Sequence, residues 1–83
     1  MDTEEQVGNV RHFFSKIMVA VLDLTGTVKV GDTIHFKGDS TDFIQKISSM
    51  QMEHTPMAEA HASQSIGLKV EKVVKEQDKV FKI

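Results

Sequence analysis

The sequence holds no cysteine. That removes a disulfide framework and a thiolate zinc site as sources of stability, and it fits a reducing compartment. An excess of basic charge is also missing. Ten Lys and Arg against twelve Asp and Glu leave a net charge of −2, which excludes a generally basic nucleic-acid binder. The longest apolar run, residues 17–22, is six residues long, whereas about 20 are needed to span a bilayer. The opening MDTEEQ is acidic and polar, the reverse of a basic segment leading into an apolar one. No secretory leader and no membrane partner are therefore expected, and the chain reads as soluble and cytoplasmic. Repeats and low-complexity tracts are missing too. Eighty-three residues make one domain, and a chain this short buries only about 60–65% of the surface its unfolded form exposes. The charge is uneven: residues 1–66 carry nine acids and five bases, and residues 67–83 carry five lysines and three acids.

What is present is a series of short strands separated by turns. Residues 1–5 read as a flexible leader and 6–83 as the domain. Residues 6–12 place Val7 and Val10 about Gly8, a first strand. Residues 18–24, MVAVLDL, are β-branched and apolar, the pattern of a strand buried on both faces. Thr25-Gly26 and Gly31-Asp32 are turn signals. Residues 33–37 alternate, with Ile34 and Phe36 on one face and His35 on the other. Residues 43–53 read as one long strand whose parity slips. Phe43 and Ile47 share one phase and Met50 and Met52 the other, and a bulge near Ser48-Ser49 would turn all four inward. Thr55-Pro56 is a helix-start signal, and the MAEAHA that follows suffices for a turn or two. Ile66, Leu68 and Val70 alternate against Gly67, Lys69 and Glu71 in a fifth strand, and residues 79–83 form a sixth. Short strands with turns every 8–12 residues or so indicate an all-β fold, and closure into a barrel hides the strand edges. Ile34, Phe36, Ile66, Leu68 and Val70 are expected to be buried together.

Residues 24–38 read LTGTVKVGDTIHFKG. Gly26 is followed by Thr27-Val28, then Lys29-Val30-Gly31-Asp32, then an alternating strand ending in Gly38. Ser49-Met50-Gln51-Met52, Glu59, Ala62, Ile66-Gly67 and Asp78-Lys79-Val80 come after it in order. Across residues 7–83 this series resembles the second domain of the translational GTPases, the elongation factor Tu type. The resemblance implies a six-stranded antiparallel closed β-barrel of the elongation-factor domain 2 type, with one short helical turn near 56–61. It also implies a non-catalytic, translation-factor-like module that contacts tRNA or the ribosome. The pattern departs from the family at Ser63, Gln64 and Gln77, where the family has a turn glycine, an acid and a glycine. Those two turns thus lose the residue best able to take positive φ, and they are expected to be differently shaped or strained. The family's Arg-Gly-Thr-Val before its second strand is replaced by Phe14-Ser15-Lys16-Ile17-Met18-Val19, so its aminoacyl-end pocket is not carried over.

Residues 26–33, GTVKVGDT, come close to the phosphate-loop pattern G-x-x-x-x-G-K-[ST]. Asp32 puts a negative charge where the lysine belongs, so no nucleotide site and no cofactor are expected. Glu53, His54, Glu59 and His61 lie close in sequence but form no HExxH and have no cysteine beside them. Solvated histidines, rather than a metal site, are expected there. The serines and histidines fall in no nucleophile-elbow or triad spacing, and the chain is not expected to be an enzyme.

The leading candidate is RHFFSK, residues 11–16. Adjacent phenylalanines on a strand cannot both point inward. Either Phe13 or Phe14 is left exposed, or covers the end of the barrel, between Arg11 and Lys16. An exposed ring beside cations suits base stacking or a partner's apolar anchor. Lys69, Lys72 and Lys75 are secondary basic candidates, continued by Lys79 and Lys82 and interrupted by Glu71, Glu76 and Asp78. Two functions follow. One is RNA contact through Arg11, Phe13, Phe14 and Lys16. The other is an accessory, protein-interaction barrel that docks on a larger enzyme or complex.

Overall fold

A computed structural model describes residues 5–53 and 55–83. Every element among them is β. The strands are β1 (Glu5–Phe14), β2 (Val19–Leu24), β3 (Val28–Lys29), β4 (Thr33–Lys37) and β5 (Asp42–Lys46). They continue with β6 (Met50–Met52), β7 (Thr55–Pro56), β8 (Glu59–Ala60), β9 (Ser65–Lys69) and β10 (Lys79–Lys82). Eight of them form one antiparallel sheet in the order β5-β4-β10-β1-β2-β9-β6-β7, and β3 pairs with β8 in a separate ladder. No helix among the described residues is long and apolar enough to cross a membrane.

The architecture corrects the expected closed barrel of six strands. The hydrogen-bonded order ends at β5 on one side and at β7 on the other. A side chain ties the β5 edge to the end of β9. Gln45, on edge strand β5, donates from Nε2 to the Lys69 carbonyl at 3.0 Å and accepts the Glu71 N–H at Oε1 at 2.9 Å. The expected helical turn near 56–61 is also corrected. Six residues are too few to sustain helix nucleation, and the backbone there finds strand partners: Pro56 lies opposite Gln51, the Met57 N–H donates to Met50, and the Val30 N–H donates to Ala58.

The long strand over 43–53 is two strands, β5 and β6, set far apart in the sheet order. The chain leaves the sheet at Ile47. Its N–H donates to the Asp32 carbonyl at 2.9 Å, and its own carbonyl accepts the Gly31 N–H at 2.8 Å. Ile47 and Met50 are nevertheless both buried. β2 also differs from expectation, being buried on one face only. Ala20, Leu22 and Leu24 enter the core, while Val19, Val21 and Asp23 point outward and are half-buried. The predicted core quintet of Ile34, Phe36, Ile66, Leu68 and Val70 is buried throughout. Each such side chain removed from water contributes about 1.5–3 kcal/mol. Phe36 stacks on Phe43 with ring centroids 5.0 Å apart.

Three turns of one design feed β4, β9 and β10: residues 29–32, 61–64 and 75–78. In each, the fourth residue's N–H donates to the first residue's carbonyl, at 3.0, 3.2 and 3.1 Å. In each, the fourth side chain returns the bond by accepting the first residue's N–H, at Asp32 Oδ2 (2.9 Å), Gln64 Oε1 (2.7 Å) and Asp78 Oδ2 (2.8 Å). The third residue is left-handed every time: Gly31 at φ 98°, Ser63 at 74° and Gln77 at 74°. Of the two outcomes expected at Ser63 and Gln77, the turns keep the shape of the glycine turn and hold an L residue in the left-handed region.

Candidate docking surface

The RHFFSK segment is organised by a bulge. Val10 pairs with Leu22 and His12 with Val21, which leaves Arg11 as the extra residue. The bulge resets the phase of β1. Phe13 lies opposite buried Ala20 and packs against the core, whereas Phe14 lies opposite Val19 and is 47% exposed. Phe14 is thus the exposed member of the pair. The His12 ring meets it edge-on, with centroids 4.4 Å apart and planes at 68°, and His12 Nδ1 is in turn 3.0 Å from Glu76 Oε2.

The outward face of β1, β2, β9 and β6 is arranged in rows. Phe14 stands beside Val19 and then Lys69; His12 stands beside Val21, Gly67 and Gln51; Asn9 stands beside Asp23 and Ser65. The middle row has a gap because Gly67 has no side chain. The result is an apolar groove of about 410 Å³ over Gly67, walled by Phe14, Ile17, Val19 and Val21. Ile17, in the β1–β2 turn, is 57% exposed. A second hollow of about 320 Å³ runs along residues 13–17. The rim beyond Val21 is polar. The Ser65 hydroxyl donates to Asp23 Oδ1 at 2.6 Å, and Arg11 Nη1 lies 3.7 Å from the same oxygen.

Each basic candidate has its own surroundings. Arg11 is paired with Asp23, and Lys16 is exposed in the hairpin turn. Lys69 borders a hollow with Val19, Met50 and Pro56, while Lys72 Nζ lies 5.9 Å from the Phe43 ring. Lys75 borders an open cleft of about 620 Å³ with Lys37 and Lys79, and Asp39, Glu76 and Asp78 share that cleft. Residues 26–33 form β3 and one of the three turns, with the Asp32 carboxylate occupied by the Lys29 N–H and Lys82 Nζ 4.0 Å away. Of the sequence cluster Glu53, His54, Glu59 and His61, His54 lies outside the described residues. Among the described residues no three His, Asp or Glu side chains come together to hold a metal. Asp42, on exposed edge strand β5, has a carboxyl held below its ordinary range by hydrogen bonding to His35, whose Nε2 is 2.5 Å from Asp42 Oδ1.

No protein-family model matches the chain. An uncharacterized protease of Methanocaldococcus jannaschii is 32% identical over 77 residues, a match that takes in 92% of this chain and 19% of the protease. The chain therefore spans about a fifth of the curated relative it matches. The crystal structure of the C-terminal domain of a Geobacillus thermoleovorans protein assigned as a U32 peptidase superposes with a TM-score of 0.89 at 22% identity, covering 95% of this chain and 92% of that one. Its selenomethionine variant gives 0.87 at 22% identity, covering 92% and 96%. The chain shares the fold of that Geobacillus domain.

These likenesses correct the elongation-factor resemblance, and with it the translation-factor reading. Lys-Val-Gly-Asp encodes a turn, and a turn is required by local geometry whichever all-β fold it serves. Of the groove residues, Ile17, Val19, Val21, Gln51 and Gly67 were not read as a site. The available signals were a glycine in the interior of an alternating strand and a run, MVAVLDL, too apolar for a strand with a solvated face.

Proposed function

We propose that the chain is a non-catalytic accessory domain that docks on a larger U32-peptidase-type protein through the outward face of β1, β2 and β9. The observation that carries this reading is the mismatch in size. Seventy-seven residues align with only 19% of the M. jannaschii protease, so what this chain resembles is a small part of a larger protein. The surface supports it. Exposed Phe14 and Ile17 wall an apolar groove with a polar rim at Arg11, Asp23 and Ser65, the layout of a partner-binding patch. In this reading Phe14 is the anchor and Phe13 ties the hairpin to the core. Arg11 and Lys16, at the rim, steer the approach of the partner more than they hold it. In this reading catalysis belongs to the partner. The lack of cysteine supports work in the cytoplasm.

The test is a calorimetric titration of the chain against the U32-peptidase-type protein of the same genome. A one-to-one complex is expected that persists at about 0.5 M salt, where surface charge pairs are screened. Phe14→Ala should weaken it about tenfold or more, as for a truncated interface anchor. No complex at about 100 µM of each protein, a concentration that detects weak specific association, would overturn the reading.

A further inference from the structure

The hydrogen-bonded strand order has two ends, β5 and β7. β7 is blunt: it is two residues long, and one of them is Pro56, which has no N–H to offer. β5 runs for five residues, Asp42–Lys46, and its ladder with β4 can be read pair by pair. At one end the Gly38 N–H donates to the Thr41 carbonyl, and at the other the Ile47 N–H donates to the Asp32 carbonyl. Bonded and non-bonded pairs alternate along an antiparallel ladder. Between those two ends the bonded pairs are therefore Phe36 with Phe43 and Ile34 with Gln45. Asp42, Ile44 and Lys46 fall at the alternate positions, so their backbone N–H and C=O groups point away from β4. Among the described residues no strand pairs with β5 on that side. Gln45 reaches residues 69 and 71 with its side chain, and of the three outward carbonyls it meets that of Lys46, at 3.3 Å.

The side chains of the same three residues are all exposed, Ile44 at 57%. Their order, acid, isoleucine, base, is self-complementary under reversal. Let two copies of β5 run antiparallel about a two-fold axis through Ile44. Asp42 of each copy then lies opposite Lys46 of the other, and the two Ile44 side chains meet at the axis. The backbone agrees with this register, because the residues brought opposite one another are those whose N–H and C=O groups face outward. Opposite charges directly across a ladder are stabilising, and like charges there are destabilising. His35 Nε2, 2.5 Å from Asp42 Oδ1, fixes the carboxylate on its face. Lys46 forms no ion pair among the described residues. We propose that the chain forms a weak homodimer in which the two β5 strands pair antiparallel about Ile44, carrying the sheet from one copy into the other. Such an interface uses one patch on both copies and is closed by its own symmetry, and it covers an edge that otherwise stands open. It is independent of docking at the groove, which lies on β1, β2 and β9. For so short an edge a Kd on the order of 100 µM is expected.

The test is a charge exchange across the axis, read by sedimentation equilibrium of the full chain from about 10 µM to about 1 mM, a range that brackets such a Kd. Wild type should pass from monomer to dimer. At the upper limit about four chains in five are dimeric by mass action, so amide exchange at Asp42, Ile44 and Lys46 should slow about fivefold. Exchange at Phe43 and Gln45, already bonded to β4, should change little. Lys46→Glu sets acid against Asp42, and Asp42→Lys sets base against Lys46. Each variant alone should raise Kd about tenfold or more, since both cross-strand pairs become repulsive. Mixed in equal amounts, the two should associate about as tightly as wild type, because every pair across the axis is again of opposite sign. Circular dichroism establishes that each variant is folded. Asp42→Lys also removes the bond to His35, so if it fails to fold, Lys46→Glu and the exchange pattern decide the matter. A wild-type chain that stays monomeric at about 1 mM, ten times the expected Kd, would overturn the proposal. So would a dimer that Lys46→Glu leaves intact, or one whose protected amides lie outside β5. Two folded variants that do not associate when mixed would overturn the register about Ile44.

Discussion

Gln45 is the residue through which the open end of the sheet can be tested. It is 5% exposed and on edge strand β5, and its amide is fully engaged. Nε2 donates to the carbonyls of Lys69 and Lys46 at 3.0 and 3.3 Å, and Oε1 accepts the Glu71 N–H at 2.9 Å. The segment leaving β9 is thereby fastened to the far edge of the same sheet. Gln45→Leu keeps most of the volume but removes both partners of that segment. A partly buried N–H or carbonyl left without a bond costs about 1–3 kcal/mol, and water reaching the exposed end of the segment recovers some of it. A loss of about 2–3 kcal/mol is expected in all. For a domain of this size that lowers Tm by roughly 10–20 °C. Gln45→Glu is the discriminating control. Its carboxylate can still accept the Glu71 N–H but faces the Lys69 carbonyl with a second acceptor, so it should be destabilised as well. Thermal unfolding followed by circular dichroism reads both variants. A Tm within about 2 °C of wild type for Gln45→Leu, an effect below 1 kcal/mol, would refute the bridge and leave β5 held by its pairing with β4 alone.

Other perturbations follow from the turns and from Asp42. Gln77→Gly relieves a left-handed residue at φ 74°, a conformation that costs about 1–2 kcal/mol for an L residue. After the larger entropy glycine loses on folding, a net gain of about 0.5–1 kcal/mol should appear as a higher urea midpoint, and an unchanged or lower midpoint would count against it. Gly38→Ala drives a methyl into the Asp78 carboxylate, which is 6% exposed and holds the Lys75 N–H. A loss of about 2 kcal/mol is expected, and it should largely vanish when Asp78→Ala is already present, as a double-mutant cycle would show. Asp42 has its carboxyl lowered from 3.8 chiefly by the hydrogen bond to His35. A depressed carboxyl contributes stability that is present above its unfolded value and lost as pH falls through its folded value. Urea midpoints measured from pH 6 down to about pH 2 should therefore fall less steeply for Asp42→Asn than for wild type, and identical acid limbs would contradict the pairing.

Much of this fold could be read along the chain, and the reasons are local. Ile34 and Phe36, or Ile66 and Leu68, alternate with polar neighbours and enter the core together, because a period of two leaves one face for water. The fate of residues 43–53 was not legible. A bulged strand and two strands broken at Ile47 bury the same apolar residues. The choice is made by hydrogen bonds from Ile47 to Gly31 and Asp32, some fifteen positions away. Thr55-Pro56 carries a similar ambiguity. Proline at the first position of a helix and proline on an edge strand both exploit an N–H that needs no partner, and the structure uses the second at β7, the sheet's edge. At the site, a split between Phe13 and Phe14 followed from adjacency. Which ring faced out depended on the bulge at Arg11, which no turn residue marks.

The elongation-factor resemblance misled for a reason the structure makes visible. Its most specific stretch, Lys29-Val30-Gly31-Asp32, is one of three turns built alike, and the others read His61-Ala62-Ser63-Gln64 and Lys75-Glu76-Gln77-Asp78. Within a single chain the same backbone is thus encoded with glycine, serine and glutamine at the left-handed position and with either aspartate or glutamine closing the turn. What the three have in common is a requirement: a reversal that ends with a carbonyl-type oxygen capping the first N–H and a strand ready to pair. A motif that reports a requirement of this kind recurs wherever short antiparallel strands must be joined, and carries no information about what the domain touches. The informative departures are the positions where the fold's own needs are already met and the residue is still unusual. Gly67 is such a position, with space for a Cβ and none present. Val19 and Val21 are two more, apolar and half-buried on the outward face of β2. That these three are cross-strand neighbours around one groove is why function is sought there and not in the turns.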